Sequence, residues 1–147
     1  MKELDRIKNL VRESGYKLTP QRIATLKTII QNKEKHLSTD EIFMKVKKSH
    51  SSIGLATVYR TILLLDELNI LTKHNFYDGK YRYELNDIDE DHHHHHLICN
   101  NCGKVFEVED LLDELEQKIE QNYQFKISNH NVQFYGFCNP CEAKPKI

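Results

Sequence analysis

The chain has 147 residues, enough for one ordinary domain or two small ones. It has no run of about eighteen apolar residues and opens on the charged MKELDRIKNL, so neither a membrane partner nor export is expected and a cytoplasmic protein is. Its net charge of −1 conceals 14 basic and 8 acidic side chains over residues 1–75 against 7 and 14 over 76–147, which points to a nucleic-acid-facing half joined to a half with another task, rather than to unevenly scattered surface charge.

In the first half, Leu4, Ile7, Leu10 and Val11 repeat at helical spacing until Ser14-Gly15. A second helix follows Thr19-Pro20, which suit the N-cap and first helical positions, and carries Ile23, Leu26, Ile29 and Ile30. Ser38-Thr39-Asp40-Glu41 reads as a capping box opening a third helix with Ile42, Phe43 and Val46 on its apolar side. A fourth helix is predicted from about Leu55 to Leu68, completing a helix-turn-helix bundle. The period then changes to two, and ILTKHNFYDGKYRYEL forms a hairpin around Asp78-Gly79. Helices followed by a hairpin describe a winged helix over residues 1–85.

The acidic stretch NDIDED, residues 86–91, is expected to be a linker or hinge. Beyond it, over 92–147, HHHHLIC, KVFEVE and FKISNHNVQFYGFC read as strands. DLLDELEQKIEQNY reads as an amphipathic helix with Leu111, Leu112, Leu115 and Ile119 on its apolar side. The fold class is therefore α+β, a winged helix-turn-helix domain followed by a small α+β domain.

Cys99-x-x-Cys102 and Cys138-x-x-Cys141 stand 35 residues apart. In a reducing compartment, two such pairs point to metal ligation rather than to disulfides. Four thiolates complete the closed tetrahedral shell of a structural Zn²⁺, with redox pairs or an iron–sulfur cluster as the other readings. Just before the first pair lie five histidines, His92 to His96, in an internal position unlike that of a purification tag. In an extended strand His94 and His96 share one face and His93 and His95 the other, so one strand can supply imidazole pairs to two metal sites. A solvated polar run is the plain alternative. Spacing leaves the other ligands open among Glu84, Glu107, Glu109, Glu114, His36, His50, His74 and His130. Imidazole and carboxylate donors suit Fe²⁺, Mn²⁺, Zn²⁺ and Co²⁺ alike.

GYKLTPQR at 15–22, HLSTDEIF at 36–43, GLATVYRTI at 54–62, FYDGKYRYEL at 76–85, HHHHHLICNNCGKVFEVED at 92–110 and NH…YGFCNPC at 129–141 resemble, in order and spacing, the ferric uptake regulator (Fur) family of metal-dependent bacterial repressors. The resemblance implies a winged-helix domain, a hinge and an α+β dimerisation domain. It also implies structural Zn²⁺ on Cys99, Cys102, Cys138 and Cys141, a regulatory metal on His36, Glu84, His94, His96 and Glu107, and an additional metal on His93, His95, Glu114 and His130. Many iron-responsive members have Asp where this chain has His95. Peroxide-sensing relatives tend to have Asp at the place of Glu107, and zinc-sensing ones a cysteine in the hinge site. The resemblance therefore favours Fe²⁺ as the regulatory ion, replaceable by Mn²⁺, Zn²⁺ or Co²⁺, with peroxide, zinc or manganese sensing as the alternatives. His92 receives no role.

On the fourth helix Val58, Ile62 and Leu65 fall on one side, Ala56 and Arg60 opposite, and Tyr59 at the margin, as in a recognition helix. The resemblance assigns Lys17, Arg22, Thr57, Tyr59 and Arg60 to double-stranded DNA. It implies a homodimer on an AT-rich palindromic operator. Two other functions compete with this reading. A metalloenzyme is disfavoured because no His-Glu-x-x-His helix, nucleophile elbow or phosphate loop is present, and a metal-buffering protein would have no use for a winged helix.

Overall fold

The computed structural model describes residues 2–87, 94–128 and 130–142. The chain divides into two compact units, Met1–Ile88 and Asp89–Ile147. Most of the predicted hinge, 88–91, lies outside the described residues, as do His92 and His93. Asn86, expected in the hinge, is tied to the first unit: its side-chain amide donates to the Asn69 carbonyl at 2.7 Å and its backbone N–H to that of Ile70 at 2.9 Å.

The first unit begins with α1 (Lys2–Glu13), which buries Ile7 and Val11. Leu10, predicted to share that side, is instead 37% exposed. In α2 (Pro20–Gln31) the Thr19 hydroxyl accepts the Arg22 N–H at 3.3 Å, meeting one of the helix's orphan donors. A 3₁₀ turn, Lys33–Lys35, ends on His36, a left-handed residue with φ 46°. A two-residue strand β1 (Leu37–Ser38) leads directly into α3 (Thr39–Ser49). The capping box forms as predicted: Ser38 Oγ accepts the Glu41 N–H at 3.3 Å, and Glu41 Oε2 accepts the Ser38 N–H at 2.8 Å.

Helix α4 (Leu55–Glu67) starts at an N-cap Gly54 and buries Val58, Ile62 and Leu65. These pack with Ile7, Val11, Leu26, Ile29, Ile42, Val46, Ile70 and Leu71 in one hydrophobic cluster. The hairpin of β2 (Leu71–Asn75) and β3 (Tyr81–Leu85) joins β1 in an antiparallel sheet of order β1-β3-β2, with Leu37 opposite Tyr83 and Thr72 opposite Glu84. β1 was not predicted, because two residues carry no readable alternation. The unit is a winged helix.

In the second unit β4 (His95–Cys99) is the central strand. It pairs antiparallel with β5 (Val105–Val108) and parallel with β6 (Gln133–Gly136), and α5 (Asp113–Tyr123) makes the crossover between β5 and β6. β6 occupies only the end of the predicted FKISNHNVQFYGFC run. Helix α5 starts later than expected because the Asp110 carboxylate accepts the Leu112 N–H at 2.9 Å, an Asx-type turn that holds the chain out of the helix. Its predicted apolar side is not buried: Leu111 is 76% and Leu115 50% exposed, and only Leu112 and Ile119 are half-buried. A short α6 (Asn139–Glu142) turns the second cysteine pair. No helix among the described residues is long and apolar enough to cross a membrane.

Candidate metal centres and nucleic-acid interface

Strand β4 ends at Cys99, its following turn carries Cys102, and the chain beyond β6 returns Cys138 and Cys141 beside them. The sulfurs all lie within 4.8 Å of one another, and none is in a disulfide. The Cys102–Cys138 sulfur separation of 3.7 Å matches the roughly 3.8 Å edge expected of a tetrahedron with zinc–sulfur bonds of about 2.3 Å. The backbone N–H groups of Cys102 and Cys138 both donate to Cys99 Sγ at 3.5 Å and hold its thiol down at about 5, which favours a thiolate there at neutral pH. Cys138 goes the other way: its hydrogen bond with the Cys141 thiol and its burial push it up to about 12. Four sulfurs this close cannot all be thiolates without a cation among them, and a divalent ion displaces the remaining protons. The donor set therefore fits Zn²⁺.

In the first unit three polar side chains are buried: His36 at 3%, His74 at 6% and Glu84 at 8% exposure. Glu84 Oε2 lies 2.8 Å from His74 Nε2, and Glu84 Oε1 lies 3.7 Å from His36 Nε2. The backbone of His36 is held by Arg82, whose Nη1 donates to its carbonyl at 3.1 Å and to Glu41 at 3.2 Å.

In the second unit β4 alternates as the histidine run predicted. His94 and His96 have ring centroids 4.9 Å apart, Glu107 is the ladder partner of His96, and His94 Nε2 lies 3.5 Å from Glu107 Oε1. His95 points to the other face and meets His130, ring centroids 5.0 Å apart, across Asp110: Oδ1 is 3.0 Å from His95 Nε2 and Oδ2 3.1 Å from His130 Nε2. Asp110 is held below the usual carboxylate range, first by the Leu112 N–H, which with the His95 hydrogen bond and the charges of both histidines outweighs the opposing effect of burial. Glu116 pairs with His130 Nδ1.

A polar cleft on the first unit is lined by Lys17, Thr19, Arg22, Thr57 and Arg60. Tyr59 is 48% exposed, Arg60 is exposed, and the buried side of α4 is the one its periodicity selected.

Residues 13–135 match the ferric uptake regulator family. The chain is 48% identical over 142 residues to the ferric uptake regulation protein of Bacillus subtilis, covering 96% of this chain and 95% of that one. This chain belongs to the ferric uptake regulator family. Its fold is similar to the Francisella tularensis ferric uptake regulator with iron, at TM-score 0.76 and 31% identity over 87% of this chain and 96% of that one. It is also similar to the Helicobacter pylori regulator, described as having three functional metal-binding sites, at TM-score 0.78 and 25% identity over 95% and 91%.

Within the Fur frame the residues fall as follows. The structure brings the four cysteines together, His36 to Glu84 in one unit, and His94 and His96 to Glu107 in the other. It brings His95 to His130, but Glu114 of the implied additional set is exposed on the first turn of α5, and the carboxylates at those imidazoles belong to Asp110 and Glu116. His93 lies outside the described residues. The late start of α5 explains the exchange, since the Asx turn that delays it also presents Asp110. Arg22 is half-buried and donates through Nη1 to the Lys17 carbonyl at 2.6 Å, so it holds the loop that displays Lys17. His74 was one of several acceptable donors in the sequence; only the hairpin register places it, two rows along from Glu84 on the same face.

Proposed function

We propose that this protein is an Fe²⁺-responsive repressor of metal-uptake genes that binds an AT-rich palindromic operator as a cytoplasmic homodimer and has no catalytic role. The observation that supports it is the division of donors: His36 and Glu84 in the basic winged-helix domain, taken as 1–85, and His94, His96 and Glu107 beyond a hinge, taken as 86–91, in a dimerisation domain, taken as 92–147. All five offer nitrogen or oxygen, which suits Fe²⁺ and accommodates Mn²⁺, Co²⁺ or Zn²⁺. When bound, the ion supplies the positive charge that both sets of donors share. The chain's own residues then decide the response. His36 and Glu84 are anchored to the wing and to α3, so fixing them against the second domain favours one orientation of Tyr59 and Arg60. That preference matters only through the difference in metal affinity between the two arrangements, and operator DNA must tighten metal binding by the same factor. Zn²⁺ on Cys99, Cys102, Cys138 and Cys141 is structural. An additional ion would be held by His95, Asp110 and His130, with Glu116 behind His130.

The test is operator affinity measured anaerobically with and without Fe²⁺; equal affinities sink the reading. For DNA contact, Arg60→Ala is expected to weaken specific binding about 5- to 150-fold, from loss of roughly 1–3 kcal/mol at a base or phosphate, with zinc content unchanged. A gel shift with wild-type affinity removes Arg60 from the interface.

The homodimer is supported by an apolar row. Phe106, Leu97 and Phe134 are ladder neighbours across β5-β4-β6 and stand 42%, 38% and 51% exposed on one face. Burying such a row removes apolar area from water on both copies. Leu97→Asp is expected to raise the dimer dissociation constant at least about 30-fold, the effect of roughly 2 kcal/mol at an interface centre. Sedimentation showing an unchanged dimer counts against this face.

A further inference from the structure

We propose that His74 is a positioning residue for the regulatory metal: it does not bind the ion but holds the Glu84 carboxylate in the orientation in which Oε1 faces His36 and the ion. This rests on the reading of Glu84 as a regulatory ligand. The two oxygens of Glu84 are used differently. Oε2 sits 2.8 Å from His74 Nε2, hydrogen-bond distance, whereas Oε1 is 3.7 Å from His36 Nε2, too far for a good hydrogen bond and close enough for both to reach a common ion. A neutral imidazole meets the first contact by donating from Nε2, which fixes its tautomer.

His74 is itself held. Its ring stacks on Phe76, with centroids 5.3 Å apart and planes 7° from parallel, and both are almost wholly buried. Phe76 also packs edge-on against the His36 ring at 6.0 Å, so one aromatic side chain sets the planes of both imidazoles. Register enforces the rest: Thr72 is opposite Glu84 and His74 opposite Arg82, which places His74 and Glu84 diagonally on one face of the hairpin. A buried carboxylate with one oxygen engaged keeps the other oriented without having to reorganise when metal arrives. Hydrogen-bonded partners of ligands elsewhere change metal affinity about 10- to 100-fold when removed.

The experiment uses the full zinc-loaded chain in a His130→Ala background, which removes the second donor group, and follows Co²⁺ binding by its visible absorption. His74→Leu is expected to weaken Co²⁺ binding about 10- to 100-fold, and His74→Gln, whose amide can still donate to Glu84, to recover most of that loss. Metal-free melting temperatures of the two variants should be alike. In the metal-free wild type, long-range ¹H–¹⁵N spectra should show the His74 proton on Nε2. Equal Co²⁺ losses in both variants, or a proton on Nδ1 alone, overturn the proposal. Glu84→Gln is measured in parallel. If it weakens Co²⁺ binding while His74→Leu does not, the positioning role fails and the metal site stands. If Glu84→Gln has no effect, the reading of Glu84 as a ligand fails and takes this proposal with it.

Discussion

Removing zinc is expected to unfold the second unit while the first keeps its cooperative transition. The reason is the distribution of the core. Among the described residues, the buried members of the hydrophobic cluster come from residues 7–83, within the first unit. Among the described residues of the second unit, the buried apolar side chains are Ile98, Cys99 and Cys141, and α5 buries none. A unit this small with so little apolar burial falls below what a hydrophobic core alone can hold together. Structural Zn²⁺ contributes roughly 10–16 kcal/mol of binding free energy, comparable to the whole stability of an ordinary domain. Cys138→Ser should therefore have the same effect as a chelator: loss of dispersed amide signals from β4, β5 and β6, with those of α1–α4 retained. A second unit that stays folded after elemental analysis confirms zinc removal contradicts the assignment.

His36→Ala and His96→Ala, made separately, are each expected to abolish the metal dependence of operator binding. Effector coupling of this kind is typically worth 1–3 kcal/mol, so about 5- to 150-fold in affinity should vanish and leave the metal-free value. The pair is informative because the two residues belong to different units. An ion fixing one unit against the other needs donors from both, so either substitution is sufficient. An ion confined to the second unit would be insensitive to His36→Ala, and that result, read from operator titrations at saturating Fe²⁺, eliminates the proposed switch. Both histidines are buried, so the metal-free melting temperature of each variant distinguishes a lost ligand from a damaged fold.

Much of this could be read from local patterns. Helix α3 was legible because a Ser-x-x-Glu cap satisfies backbone donors within four residues. The buried side of α4 was legible because 3.6-residue periodicity sorts Val58, Ile62 and Leu65 from Ala56 and Arg60. The histidine run was legible for a similar reason: a strand's period of two separates His96 from His95 whatever lies around them, and two Cys-x-x-Cys pairs mark a converging four-sulfur cluster. The relatives of this chain also made its family visible from motif order. What the sequence by itself determined, then, was the main helices and strands and the direction in which most of their side chains point.

Only the tertiary structure decided which side chains meet. Glu114 has the right chemistry and an implied place beside His95 and His130, yet Asp110 and Glu116 stand there, because a two-residue Asx turn shifts the start of α5. His74 and Glu84 are ten residues apart in a hairpin whose register could have separated them, and a one-residue slip would have sent Glu84 to the other face. Leu111 and Leu115 follow helical periodicity, yet they stay 76% and 50% exposed. Local rules act over a few residues through backbone hydrogen bonding and side-chain direction. Convergence of donors depends on strand register and on where each loop releases the chain, and those are settled by the packing of the whole unit.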